Sequence, residues 1–196
     1  MEKDKNKPNQ RLIVAISGAS GAIYGIRMLQ ALKHAGVEAH LIVSKAAALS
    51  LGAETDMTLG QVHDLAAVVH KPGDIGAAIA SGSFKTMGMV VAPCSIKSLS
   101  EIATGVTTSL ISRAADVCLK ERRRLVLMVR ESPLHLGHLR TMAAVTEMGA
   151  IVAPPMPAFY TRPATIDDIV NQSVARVLDM FDIEADMKRW SGLKDG

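Results

Sequence analysis

RLIVAIS (Arg11–Ser17) runs without a break into GASG (Gly18–Gly21), and this junction decides the fold. The first stretch is short, β-branched and apolar on both faces, so it reads as a buried strand. The glycines stop it. Behind them, Ala22–Ala35 places Ile26, Leu29 and Leu32 on one helical face, and Gly36 ends that helix. Glu38–Val43 (EAHLIV) is a second strand, and Ser44 can cap the Ala-rich helix that follows, through Leu51.

The alternation continues along the chain. Thr58–Val69 reads as a helix capped by Thr58, with Leu59, Val62, Leu65 and Ala66 as its apolar stripe. Residues 70–84 are irregular, with turn signals at Pro72-Gly73 and Ser81-Gly82-Ser83. Gly88–Ala92 is a strand, Ser109–Arg122 a helix, Leu125–Val129 a strand, His138–Met148 a helix and Ile151–Ala153 a short strand. Thr165–Phe181 is a final helix, capped by Thr165 with Asp167 and Asp168 in its first turn. Short apolar strands alternating with helices predict an α/β fold, a mostly parallel sheet covered on both sides. Ligands of such folds bind beyond the carboxyl ends of the strands.

Composition narrows the function classes. Aromatics are only 3% of the 196 residues, so the core must be aliphatic. A net charge of +3, interspersed along the chain, is too mild to argue for nucleic acid. The basic run Glu121–Arg124 reads as the solvated end of a helix. Cys94 and Cys118 form no disulfide framework or zinc motif, which points to a reducing, cytoplasmic setting. No apolar run approaches the roughly 20 residues of a membrane span. Residues 1–10 read as a polar tail and residues 11–196 as one domain.

Three strand ends carry chemistry. In Gly18-Ala19-Ser20-Gly21 the backbone can approach a ligand closely, and the helix N-terminus offers free N–H groups to an anion. A plain strand–helix turn explains the same residues. The strand at Gly88–Ala92 leads into Pro93-Cys94-Ser95-Ile96-Lys97-Ser98, where Ser95 and Ser98 can hydrogen-bond a phosphate or ring edge and Lys97 adds charge. An N-cap serine beside a surface lysine is the simpler alternative. Val129-Arg130-Glu131-Ser132-Pro133 puts an Arg-Glu pair at a third strand end, suited to a phosphate or a ring carbonyl, or to a surface ion pair.

Other residues stand apart. Arg113 and Lys120 lie seven apart on one helix and form either a cationic anion-holding pair or a solvent-facing stripe. Tyr160 follows a Pro-rich loop and offers a flat face with a hydroxyl tip. Glu54 sits in Ala53-Glu54-Thr55-Asp56, read as a loop after an apolar helix. Arg176 lies mid-helix and Trp190 near the C-terminus, each open to a packing explanation. Cys94 reads as a buried apolar residue and not as a nucleophile.

The segments SGASGAIYG (17–25), LIVSKAA (41–47), AETD (53–56), ASGSFKTMGMVVAPCSIKSL (80–99), SRAADVCLKERRRLVLMVRESP (112–133) and PPMPAFYTRP (154–163) together resemble the UbiX/Pad family of flavin prenyltransferases. The likeness covers nearly the whole chain after the tail. It implies a Rossmann-like or flavodoxin-like three-layer sandwich, assembled as a homododecamer with sites at subunit interfaces. It implies transfer of a dimethylallyl group from dimethylallyl phosphate to N5 and C6 of reduced FMN. The product, prenylated FMN, then serves a UbiD-type decarboxylase, and no metal is required.

The resemblance also distributes roles. Gly18, Ala19, Ser20 and Ser44 would hold the flavin, as would Ser95, Ile96, Lys97 and Ser98, with Arg130 against its ring. Ser20 and Glu54 would sit by the reacting N5. Arg113, Lys120, Glu131, Tyr160 and Arg176 would surround the prenyl phosphate, with Lys120 and Glu131 taking part in catalysis and Trp190 closing the pocket. Two other readings share the fold: an FMN-dependent cysteine decarboxylase, whose early histidine and PxMNxxM-like segment are not evident here, and a non-catalytic FMN-binding accessory subunit.

Overall fold

The computed structural model describes residues Gln10–Gly192. The expected tail at 1–10 therefore lies, apart from Gln10, outside the described residues. Six strands form one parallel sheet in the order β3-β2-β1-β4-β5-β6. They are β1 (Arg11–Ile16), β2 (Glu38–Val43), β3 (Val68–His70), β4 (Gly88–Cys94), β5 (Arg124–Val129) and β6 (Ile151–Val152). The helices are α1 (Ala22–His34), α2 (Lys45–Glu54), α3 (Leu59–His63), α4 (Ile96–Thr104), α5 (Leu110–Lys120), α6 (Leu136–Glu147) and α7 (Ile166–Asp179).

The strand period of two separates the core into halves. Leu12, Val14 and Ile16 of β1 pack on one face with Leu29 of α1, Leu51 of α2 and Leu178 of α7. Ile13 and Ala15 point to the other face, against Leu99 of α4, Ile111 and Ala115 of α5, and Val145 of α6. This is the three-layer α/β sandwich that the alternation predicts.

Tight approach fixes the α1 layer. A Cβ on Gly25 would lie 2.5 Å from the Ala92 carbonyl oxygen and 2.6 Å from Ile16 Cγ1. Gly25→Ala is therefore expected to cost about 2 kcal/mol through overpacking. Urea unfolding would show it as a lower midpoint at unchanged slope.

The structure corrects several expected bounds. The helix expected over 58–69 ends at His63, and Val68–His70 becomes strand β3. Thr58 does cap α3, through a reciprocal box with Gln61, but the β-branched pair Val68-Val69 pairs with the β2 edge at His40–Ile42. Ser95 begins a helix, α4, that ends at Gly105 in the left-handed region (φ 70°). The basic run is not simply a solvated helix end. Arg122 turns the chain at φ 56°, and Arg123 donates to the carbonyls of Phe84 and Gly82, so the run anchors the 81–84 loop.

Candidate active site

β1 lies between β2 and β4, so the chain leaves the sheet centre in one direction, returns, and continues in the other. The carboxyl ends of β1 and β4 flank the crevice that this reversal opens. A cavity of about 740 Å³ fills it. Gly18, Ala19 and Ser20 after β1, Ser44 after β2, and Ser95 to Ser98 after β4 line it. Arg130 and Glu131, after β5, complete the wall. The three strand ends read from the sequence thus meet at one place.

Gly18 is required by close packing. A Cβ there would lie 2.4 Å from the Ala46 side chain at the start of α2. The α1 N-terminus differs from expectation, because its anion is the protein's own. Glu54 is the last residue of α2, not a loop residue, and its Oε2 accepts from the Gly21 and Ala22 N–H groups at 2.8 and 3.0 Å. Partial burial pushes this carboxyl up. Those two hydrogen bonds, one from the Ser20 side chain and the nearby Arg130 charge outweigh it, and the pKa is lowered. An anchored carboxylate, ionised at neutral pH, thus sits beside Ser20, which lines the cavity.

Helices α2 and α4 point their first turns at the same cavity. Ser44 accepts from the Ala47 N–H at 3.0 Å, and Ser95 from the Ser98 N–H at 3.3 Å. Each cap satisfies one amide of its helix, and the other first-turn amides suit a phosphate. Lys97 is turned elsewhere than expected. Its ammonium pairs with Glu101 at 2.6 Å and its side chain is 76% exposed, so Lys97 brings backbone, not charge, to the wall. Burial pushes the Cys94 thiol up to about 12, which keeps it protonated and inert.

The remaining candidates lie outside this cavity within one chain. Arg113 donates to Asp116 at 2.7 Å and to the Ala80 carbonyl at 3.2 Å. Lys120 pairs with Glu121. The two cations on α5 therefore each carry a local partner. Tyr160 and Arg176 line a separate hollow of about 110 Å³ between the Pro-rich loop and α7. Trp190 packs edge-on to Tyr160 with ring centroids 5.7 Å apart, and Asp179 accepts from both Arg176 and Arg189. One chain thus separates the expected prenyl-phosphate residues into groups, with only Glu131 at the strand-end cavity.

The sequence reading missed other wall residues. Lys45 and Ala46 begin α2, Pro72-Gly73 follow β3, and Ser109 caps α5. The Pro-Gly pair and the spacing of Ser109 and Ser112 mark a turn and a cap, but neither says which end of the sheet it faces. A second hollow of about 820 Å³, mostly apolar, adjoins the first across Ser44-Lys45 and Pro72-Gly73 and is lined by Leu59, Val69 and His70. It lacks the converging hydroxyls and arginine.

Among the described residues, no cluster of three or more His, Cys, Asp or Glu is placed to hold a metal ion, and no helix is long and apolar enough to cross a membrane.

Comparison with known proteins agrees with this geometry. The Flavoprotein family matches residues 1–178. The flavin prenyltransferase UbiX of Thauera aromatica is 57% identical over 183 residues, covering 93% of this chain and 94% of that protein. The crystal structure of AnUbiX (PadA1) in complex with FMN and dimethylallyl pyrophosphate superposes with a TM-score of 0.94 at 48% identity, over 95% of this chain and all of that one. A dodecameric FMN-dependent UbiX-like decarboxylase from Escherichia coli O157:H7 gives a TM-score of 0.91 at 49% identity, over 93% of this chain and all of that one. A parallel sheet with its switch-point cavity, and identity of this extent along the chain, lead to one assignment: the chain belongs to the flavoprotein family and, within it, to the UbiX flavin prenyltransferases.

Proposed function

We propose that this protein transfers a dimethylallyl group from dimethylallyl phosphate to reduced FMN held in the 740 Å³ cavity. The observation that carries this is the meeting of Gly18–Ser20, Ser95–Ser98 and Arg130 around one crevice, with the anchored Glu54 carboxylate hydrogen-bonded behind Ser20. The cavity lies within the roughly 300–1,000 Å³ of small-molecule and cofactor sites. Its chemistry fits the flavin: hydroxyls and first-turn amides for the phosphate, an arginine for the ring carbonyls. Reduced FMN, when bound, supplies the nucleophilic N5 and C6 atoms.

The chain's own residues do the rest. The Ser20 side chain hydrogen-bonds Glu54, which leaves its oxygen able to accept from a ring N–H. Glu54, fixed by two backbone amides, holds the charge that draws the proton that way. Arg113, Lys120 and Arg176 stabilise the negative charge that grows on the departing phosphate. Tyr160 hydrogen-bonds that phosphate, Glu131 stands beside it on the cavity wall, and Trp190 closes the pocket over it. Arg113, Lys120, Tyr160, Arg176 and Trp190 reach the cavity from other copies of the chain in a closed homo-oligomer, the dodecamer implied by the resemblance, and meet Glu131 on its wall. The free, buried Cys94 and Cys118 suit a reducing cytoplasm. The product passes to a UbiD-type decarboxylase.

The test is an anaerobic incubation of the protein with reduced FMN and dimethylallyl phosphate, read by mass spectrometry of the released flavin. A flavin heavier by one prenyl group is the expected product. Flavin returned unchanged would replace this reading with that of a carrier or accessory subunit.

A further inference from the structure

Ser17 is 1% exposed, at the point where β1 enters the Gly18–Ser20 turn. Both sides of its hydroxyl are engaged. It donates to the Pro93 carbonyl at 2.9 Å and accepts from the Ser95 N–H at 2.8 Å. Its backbone N–H also donates to the Pro93 carbonyl, at 3.2 Å. The regular β1–β4 register runs only to Ala15 and Val91, and Pro93 has no N–H with which to extend it. Beyond that point a side chain takes over the pairing of the two strands. Ser95 then accepts from the Ser98 N–H at 3.3 Å and donates to the Ser98 hydroxyl at 3.2 Å. One run of hydrogen bonds therefore links Ser17, adjacent to the first flavin segment, with Ser95 and Ser98 of the second.

We propose that Ser17 is a positioning residue, whose hydroxyl fixes the separation between the Gly18–Ser20 turn and the Ser95–Ser98 segment and so sets how tightly the flavin is held. The inference rests on the reading of this cavity as the FMN site. Removing the hydroxyl leaves the Ser95 N–H without its partner and frees the N-cap of α4 to shift, while every cavity-lining side chain remains. The residues assigned to the prenyl phosphate belong to other elements and do not move with it.

Two variants test this on the full-length protein, Ser17→Ala and Ser17→Cys. Cysteine keeps the size of serine but is a weak donor and acceptor, so it reads the hydrogen bonds even if the alanine variant does not fold. Each is expected to raise the Kd for oxidised FMN about 10-fold, measured by quenching of flavin fluorescence well below the melting temperature. The KM for dimethylallyl phosphate at saturating reduced FMN is expected to stay within about 2-fold, since that pocket is built elsewhere. Either variant binding FMN as tightly as the wild type, whatever its melting temperature, would overturn the proposal. So would a donor KM that rises as much as the FMN Kd. Wild-type protein that binds no FMN would instead overturn the assignment of the cavity.

Discussion

Glutamine in place of Glu54 is expected to leave FMN bound and to slow prenyl transfer about 100-fold, within the range of a lost general acid–base group. The side chain keeps its shape and an oxygen for the Gly21 and Ala22 amides, so the α1 N-terminus stays capped. What disappears is the negative charge that polarises Ser20 and balances Arg130. Unchanged turnover under single-turnover conditions would remove Glu54 from the chemical step. The same substitution has a sign in acid. The folded-state pKa of Glu54 lies below its ordinary value of 4.5, so in that window the unfolded chain binds more protons than the folded one. The stabilisation is fully present above pH 4.5 and is lost as pH falls through the folded value. Acid denaturation of Glu54→Gln should therefore lack this contribution, and a wild-type and variant pair with identical acid limbs would contradict the ionised, anchored carboxylate.

Arg130→Ala and Arg176→Ala should each lose about two orders of magnitude in activity, and mixed oligomers of the two should regain up to about a quarter of the wild-type rate. In one chain Arg130 lines the strand-end cavity, while Arg176 lines a different hollow beside α7. Both hollows are built on packed secondary structure, so a single chain has no simple way to bring the two arginines together. A site that takes Arg130 from one copy and Arg176 from another is whole only when both contributing copies happen to be intact at the needed position. Random assembly in equal amounts satisfies each condition about half the time. Co-expression with two affinity tags and purification through both isolates the mixed species for assay. Mixed oligomers as inactive as the parents would show that the two residues do not meet across copies.

The fold was largely legible because its signals are local and redundant. RLIVAIS is apolar on both faces, as a sheet covered on both sides requires, and helices announce themselves through the Ser44, Thr58 and Thr165 caps. The errors have physical reasons. Val68 and Val69 continue an apolar spacing that a helix would share, and only pairing with the β2 edge turns them into a strand. At Ser95-Ile96-Lys97-Ser98 the ligand reading stands beside that of an N-cap serine with a surface lysine, and the structure shows the cap and the helix over 96–104.

The convergence of Gly18–Ser20, Ser95–Ser98 and Arg130 was readable because each segment follows a strand directly, and a parallel sheet brings strand ends to one edge. Long-range contacts were not. Nothing in the sequence says that Glu54 reaches back 33 residues to cap α1, that Lys97 turns to Glu101, or that Ser17 bridges to Ser95. The donor half was named by resemblance, and no spacing argument could show that Tyr160 and Arg176 share a hollow apart from Arg113 and Lys120.

A crystal structure of the protein soaked with FMN tests the central claim most directly. The account places the isoalloxazine between Gly18–Ser20 and Arg130, its phosphate at the first turns of α2 and α4, and the Glu54 carboxylate still on the α1 amides. Flavin density in the apolar hollow beside Leu59 and His70, with the strand-end cavity holding only water, would contradict it.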